Sequence, residues 1–161
     1  MRILVIGYTG SGKSTAAEQL DPNSANTSDI LCELLADKLQ IDKQLIKENK
    51  SKYRIELWEL GRSLQHNDPL ALVKLCLEKS NVVTGVRNKD EINAIKNTDH
   101  ADGGPLFNLI IWISRYGCEA GLTDYLTPED ADVIVLNNST IQELKLSLLR
   151  LISNVDDSLD C

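Results

Sequence analysis

Residues 2–20, RILVIGYTGSGKSTAAEQL, limit what the chain can become more than any other stretch. Residues 3–6 are too short and too β-branched for a helix and suit a buried parallel strand, whereas residues 14–20 carry the Ala, Glu and Gln of a helix. Between them Gly7-Tyr8-Thr9-Gly10-Ser11-Gly12-Lys13-Ser14 satisfies G-x-x-x-x-G-K-S, the phosphate-binding P-loop, in the strand-to-helix context that motif needs. Glycine accepts φ/ψ values closed to other residues, so backbone N–H groups can wrap an anion while the following helix adds its positive end. Lys13 is expected to reach the β- and γ-phosphates, and the Ser14 hydroxyl to ligate Mg²⁺. A glycine-rich turn that binds nothing is the alternative, weakened by four fixed positions and two matching flanks. Thr15 reads equally as a phosphate contact or a helix-start hydroxyl.

With 161 residues, 42% of them hydrophobic, the chain is long enough for one domain, residues 1–161, whose sheet is covered by helices on both faces. A net charge of −7 argues against a nucleic-acid or anionic-membrane surface, although local cations can still bind a polyanion. Cys32, Cys76, Cys118 and Cys161, like His66 and His100, are too scattered for zinc spacing or a C-x-x-C pair. Free thiols in a reducing cytoplasm are therefore expected, with Cys32 and Cys76 in the core. A strand at the start leaves no room for a signal peptide, and the longest apolar run, residues 106–113, is too short to span a bilayer.

Beyond the first helix, residues 21–28 are turn-rich and read as a surface loop over the phosphate site; a short second strand there shows no alternation to mark it. Ser28 or Asp29 can cap a helix with Leu31, Leu34, Leu35 and Leu39 on its apolar face, and Asp29 alternatively faces the bound phosphates and metal. The lysine-rich residues 43–53 read as a solvated helix-loop face. Ile55, Leu57, Trp58, Leu60 and Leu64 predict an amphipathic helix on which Arg54 and Arg62 share one side, as surface charges or as a grip on an anion; Gly61 lets a neighbour or ligand come close. Pro69 suits the first turn of a helix over residues 70–79.

Residues 81–87 predict a short buried strand with Arg87 at its tip, where open α/β sheets bind ligands, and Glu91 follows one helical turn later, by default a structural partner of Arg87. Residues 106–114 predict the next strand, with Arg115 at its end, and residues 116–130 suit either a mobile cover excluding water or a plain connection. Residues 131–138 close the sheet. Thr140 and Glu143 form a capping box for a last helix burying Leu144, Leu148, Leu151, Ile152 and Val155, with a frayed acidic tail over residues 156–161. Strands alternating with helices predict an α/β, three-layer P-loop NTPase or kinase fold with a mainly parallel five-stranded sheet.

A GTPase switch would need N-K-x-D, yet in Asn88-Lys89-Asp90 the aspartate arrives one residue early, and there is no D-x-x-G. A motor domain would carry an acidic strand end that residues 82–86 and 109–113 do not supply. A small kinase remains, its arginines offsetting charge on the transferring phosphoryl group.

The P-loop, Thr27-Ser28-Asp29-Ile30-Leu31, Leu60-Gly61-Arg62, the run VVTGVRNKDE from Val82 to Glu91, Ile111-Trp112-Ile113-Ser114-Arg115 and the run DVIVLNNST from Asp132 to Thr140 together resemble the deoxynucleoside monophosphate kinases of tailed phages. More distantly they are similar to dephospho-CoA kinases. The resemblance spans nearly the whole chain, and only the P-loop in it is highly specific. It implies that Gly10, Ser11, Gly12, Lys13, Ser14 and Thr15 hold ATP and Mg²⁺ and that Asp29 lies at the catalytic centre. It further implies that Arg62, Arg87 and Glu91 serve the acceptor, that Arg115 is a cover-loop arginine and that Asn137 lies near the adenine. Such enzymes move the γ-phosphoryl of ATP to a nucleoside 5′-monophosphate, a small-molecule partner, with a homodimer left open. Where that family usually has an aspartate before V-R, this chain has Gly85, and a lysine common shortly after the Asp29 position is missing, with Glu33 nearby instead. A kinase with another acceptor, such as dephospho-CoA, and a nucleotide-binding regulatory protein without turnover are the alternatives.

Overall fold

The computed structural model describes residues 1–121 and 124–159, the last four as backbone only. The elements run β1 (Ile3–Ile6), α1 (Lys13–Leu20), β2 (Ala25–Asn26), α2 (Thr27–Leu39), α3 (Lys43–Glu48), α4 (Arg54–Asn67), α5 (Ala71–Leu77), β3 (Val82–Thr84), α6 (Lys89–Lys96), β4 (Leu109–Ser114), β5 (Val133–Leu136) and α7 (Ile141–Leu159). Five strands form one sheet in the order β2-β3-β1-β4-β5, every pair parallel, so the strand that leads into the P-loop lies at the centre. The expected α/β architecture is thus present. β2 is only two residues long and is defined by its partner, with Ala25 opposite Val83 and Asn26 opposite Thr84. Pairing, not sequence alternation, makes it a strand.

Period-two alternation sends neighbouring residues of one strand into different layers. Leu4 and Ile6 join Val83, Ile110 and Trp112 in a cluster with Ile30 of α2, Val73 of α5 and Ile92 of α6. Ile3 and Val5 join Ile111, Ile113 and Val135 against Ala16 and Ala17 of α1 and Leu144 and Leu148 of α7. Leu4, Val5 and Ile6 are wholly buried, each contributing about 1.5–3 kcal/mol. A third cluster lies away from the sheet, where Cys32, Leu35 and Ala36 of α2 hold Ile46 of α3, with Leu57 and Leu60 of α4 packed on it. The sheet fixes the P-loop, and this helical annex stands beside it.

Local signals hold unevenly. Thr140 and Glu143 bond reciprocally, as a capping box should, and start α7. The cap of α2, however, is Asn26, whose side chain accepts from the Ser28 N–H; neither Ser28 nor Asp29 has that role, because the helix already begins at Thr27. Pro69 sits in the turn before α5, not in its first turn. On α4 the expected apolar face is split, for Ile55 and Trp58 are 69% and 60% exposed. α7 continues to Leu159, so residues 156–159 extend the helix where fraying was expected, and 160–161 lie outside the described residues. Cys32 and Cys76 are buried free thiols as expected, Cys118 is a half-buried one, and Cys161 lies outside the described residues.

Candidate active site

α1 begins at Lys13 behind Gly12, whose φ of 92° is left-handed and which offers no side-chain cap. The amides of the first turn are therefore left to an external acceptor, and the helix dipole favours an anion there. A Cβ on Gly12 would run into Nδ2 of Asn137, whose amide donates to the Ser11 carbonyl at 2.8 Å. Asn137 is thus a strut beneath the loop. In front lies a cavity of about 420 Å³ lined by Thr9, Gly10, Gly12, Lys13, Ser14, Thr15, Asn26, Ser28, Lys50, Thr84, Gly85 and Arg87. The Lys13 ammonium donates to the Tyr8 carbonyl at 2.7 Å, and its pKa is lowered, first by burial and then by the nearby Arg87. Asp124 accepts from the Thr9 N–H at 3.0 Å and from the Thr9 hydroxyl at 3.2 Å, so a carboxylate stands against the loop. Ser14 presents an exposed hydroxyl to this cavity, and no cluster of three or more His, Cys, Asp or Glu occurs among the described residues. One hydroxyl suits Mg²⁺, which keeps most of its shell as water and phosphate oxygens.

A second cavity, about 580 Å³, adjoins the first: Gly85 and Arg87 line both. Its walls include Trp58, Gly61, Arg62 and Gln65 from α4, Glu91 from α6 and Tyr125. Gly61 admits Leu31 of α2, to which an added Cβ would approach within 3.3 Å. The Arg62 guanidinium stacks over the Trp58 ring at 5.1 Å. Glu91 is 3% exposed, and burial is the main cause that pushes its carboxyl up to about 7, opposed by hydrogen bonds from the Arg87 backbone and the Gln65 side chain. The other ionisable groups around it are Arg62, His66, Arg87, Asp90 and Tyr125 on the cavity wall and Cys76 of α5, itself pushed up to about 12, mainly by burial and then by Glu91.

This raised carboxyl has a stability consequence of definite sign. The folded protein holds the Glu91 proton where the unfolded chain releases it, so the contribution is full below pH 4.5 and is lost as pH rises to about 7. Glu91→Gln should remove that decline, leaving the variant more stable than wild type above about pH 7 by up to ~3 kcal/mol. Urea titrations across this range check it; parallel stability curves for the two proteins would refute it.

Of the residues singled out from sequence, Gly10, Gly12, Lys13, Ser14 and Thr15 line the first cavity, Arg62 and Glu91 the second, and Arg87 both. Ser11 is buried at 1% and sits behind the loop, not in the cavity lining. Asp29 lines neither cavity and pairs with Lys47 at 3.0 Å, so the carboxylate expected at the centre is drawn toward α3. Arg115 is exposed and lines neither cavity, and Arg54 likewise parts company with Arg62. Over residues 116–130, Asp124 bonds Thr9 of the loop and Tyr125 lines the second cavity, while Leu126 is buried and Asp130 is held by Lys89 at 2.6 Å. Residues 122 and 123 of that segment lie outside the description.

Lys50, Trp58, Gln65 and Tyr125 were not legible as site residues. The spacing of Trp58 and Arg62, one helical turn apart, was a usable signal. Lys50 carried none, since it lies in a lysine-rich run and reaches the phosphate cavity through a 3.0 Å bond to the Ser28 hydroxyl.

A parallel sheet with a glycine-rich strand-to-helix turn, an open helix N-terminus and an inward lysine defines a P-loop fold. No family model matches the chain. It is 33% identical over 102 residues to a UPF0200 protein of Thermococcus gammatolerans, a stretch covering 60% of this chain and 52% of that one. The chain thus spans about half the length of that curated relative. Among solved structures it is similar to shikimate kinase from Aquifex aeolicus, at 20% identity and a TM-score of 0.45, covering 95% of this chain and 96% of that one. A sugar kinase from Janibacter sp. aligns at 15% identity with a TM-score of 0.46, covering 94% and 93% of the two chains. No helix among the described residues is long and apolar enough to cross a membrane.

Proposed function

We propose that this chain transfers the γ-phosphoryl of ATP to a (deoxy)nucleoside 5′-monophosphate. The observation that carries the reading is that the phosphate cavity and the second cavity meet at Gly85 and Arg87, so that two anions bound in them would abut. P-loop amides and Lys13 would hold the donor, and Arg62 and Arg87 the acceptor phosphate. Mg²⁺, held by Ser14 and phosphate oxygens, would offset charge on the donor. An oxygen of the acceptor phosphate forms the new bond to the γ-phosphorus as the bond to the β,γ-bridging oxygen breaks, its electron pair leaving with ADP.

Two arginines on the wall of the second cavity, Arg62 and Arg87, support an acceptor that is itself an anion. A phosphate monoester is already largely ionised near neutral pH and gives up no proton during transfer.

Incubation with labelled ATP, Mg²⁺ and a panel of acceptors tests the reading: label should pass to nucleoside monophosphates and ADP should form only in their presence. Transfer solely to a hydroxyl acceptor such as dephospho-CoA, equal ADP release without acceptor, or ATP binding with no transfer at all would each overturn it, the last in favour of a regulatory nucleotide-binding protein.

A further inference from the structure

The second cavity holds a polar atom to which phosphoryl transfer gives no task. Glu91 stands in the first turn of α6, is 3% exposed, and its Oε1 has no hydrogen-bond partner among the described residues. Leaving a carboxylate oxygen buried and unpaired costs on the order of 1–3 kcal/mol, so such an atom in a residue that lines a cavity points to a ligand that donates to its carboxylate. The rest of the wall describes that ligand's shape. Trp58 and Tyr125, 60% and 62% exposed, are both among the lining residues and bring aromatic surface to the cavity, which suits a planar ring system.

Resting on the nucleoside monophosphate reading, we infer that Glu91 makes this cavity a guanine site, its carboxylate accepting the neighbouring N1–H and N2–H of the base while Arg87 faces the 5′-phosphate. An ionised carboxylate only accepts hydrogen bonds. Guanine alone among the common bases presents two adjacent donors on its Watson–Crick edge. Adenine sets the acceptor N1 beside its amino group, cytosine sets N3 beside its own, and thymine flanks its single N–H with two carbonyls. In each of those three an acceptor lone pair would face a carboxylate oxygen in a largely dry site, a repulsive pairing that rejects the wrong base. The backbone of Arg87 and the Gln65 side chain lie beside the same carboxylate and favour its charged form. Its base-reading group is thereby tied directly to the residue that lines both cavities.

Steady-state kinetics with GMP, AMP, CMP and TMP, or their deoxy forms, at about pH 8 provide the test. Wild type should favour the guanine nucleotide, and Glu91→Gln should lower kcat/KM for it by about 10- to 100-fold and narrow its lead over the other three, whose use should not fall with it. IMP, which keeps N1–H and lacks the N2 amino group, probes the unmodified protein and should fall about 5- to 20-fold below GMP. Equal use of all four bases, preference for adenine or cytosine, IMP equal to GMP, or a uniform loss in Glu91→Gln would overturn the guanine assignment while leaving phosphoryl transfer intact. Failure of every monophosphate to accept label would instead remove the underlying reading, and the guanine site with it.

Discussion

Replacing Lys13 with methionine is expected to cut phosphoryl transfer from ATP by about 100- to 1,000-fold without lowering the melting temperature. The magnitude is that of removing one preorganised charged donor from the point where negative charge gathers in the transition state. The separation of activity from stability comes from where the ammonium sits. Its pKa is lowered by burial and by Arg87, so the folded protein tolerates this charge instead of depending on it, and its bond is to the carbonyl of Tyr8 within its own loop. Methionine keeps the length and apolar stem of lysine and discards the charge. Turnover within about threefold of wild type would refute the role, and a matching collapse of the melting temperature would show that Lys13 serves the fold.

Introducing an aspartate at Gly85 should unfold or strongly destabilise the protein, by about 4 kcal/mol, and should not raise activity. Gly85 has a φ of 104°, a region that side chains with a Cβ rarely enter, and strain there costs about 1–3 kcal/mol. A Cβ would also collide with the Thr27 hydroxyl and come within 2.8 Å of the Asn26 side-chain oxygen and 3.0 Å of the Thr27 amide. Asn26 caps α2 and pairs with Thr84, so relieving the clash means giving up a helix cap and loosening β2. An added carboxylate would lie against the Asn26 oxygen, which repels it. Denaturant melts of Gly85→Asp and Gly85→Ala test this, with alanine intermediate; an aspartate variant as stable as wild type, or more active, would refute the account. The departure from the phage-kinase pattern at this position is therefore a property of the backbone, since the chain around Gly85 is built for a residue without a side chain.

The chemistry of the P-loop was legible because everything that makes it lies within one short segment. Glycine spacing, a β-branched run before it and a helix after it are local properties, and the free amides at Lys13 follow from them. The alternation of strands and helices was legible for the same reason, as was the Thr140–Glu143 box. What surrounds the loop was not. Asp29 read as a helix cap or a catalytic carboxylate, and it is neither a cap nor in the cavity lining, because α3 brings Lys47 to it. Glu91 read as a partner for the Arg87 side chain, and it is buried beside the Arg87 backbone and Gln65, the latter on a helix 26 positions earlier.

The strand order β2-β3-β1-β4-β5 is the physical reason for that division. By itself the sequence determined that residues 7–14 would form a glycine-rich turn between a strand and a helix, since short-range backbone geometry is enough to build that turn. Tertiary structure decided what stands opposite that turn. Parallel pairing places Gly85 and Arg87 of the β3 end beside the loop that ends β1, and the helical annex of α2, α3 and α4 then turns Lys50 toward one cavity and Trp58 and Arg62 toward the other. Those residues are dozens of positions apart, so packing of the whole chain is what brings them to one site.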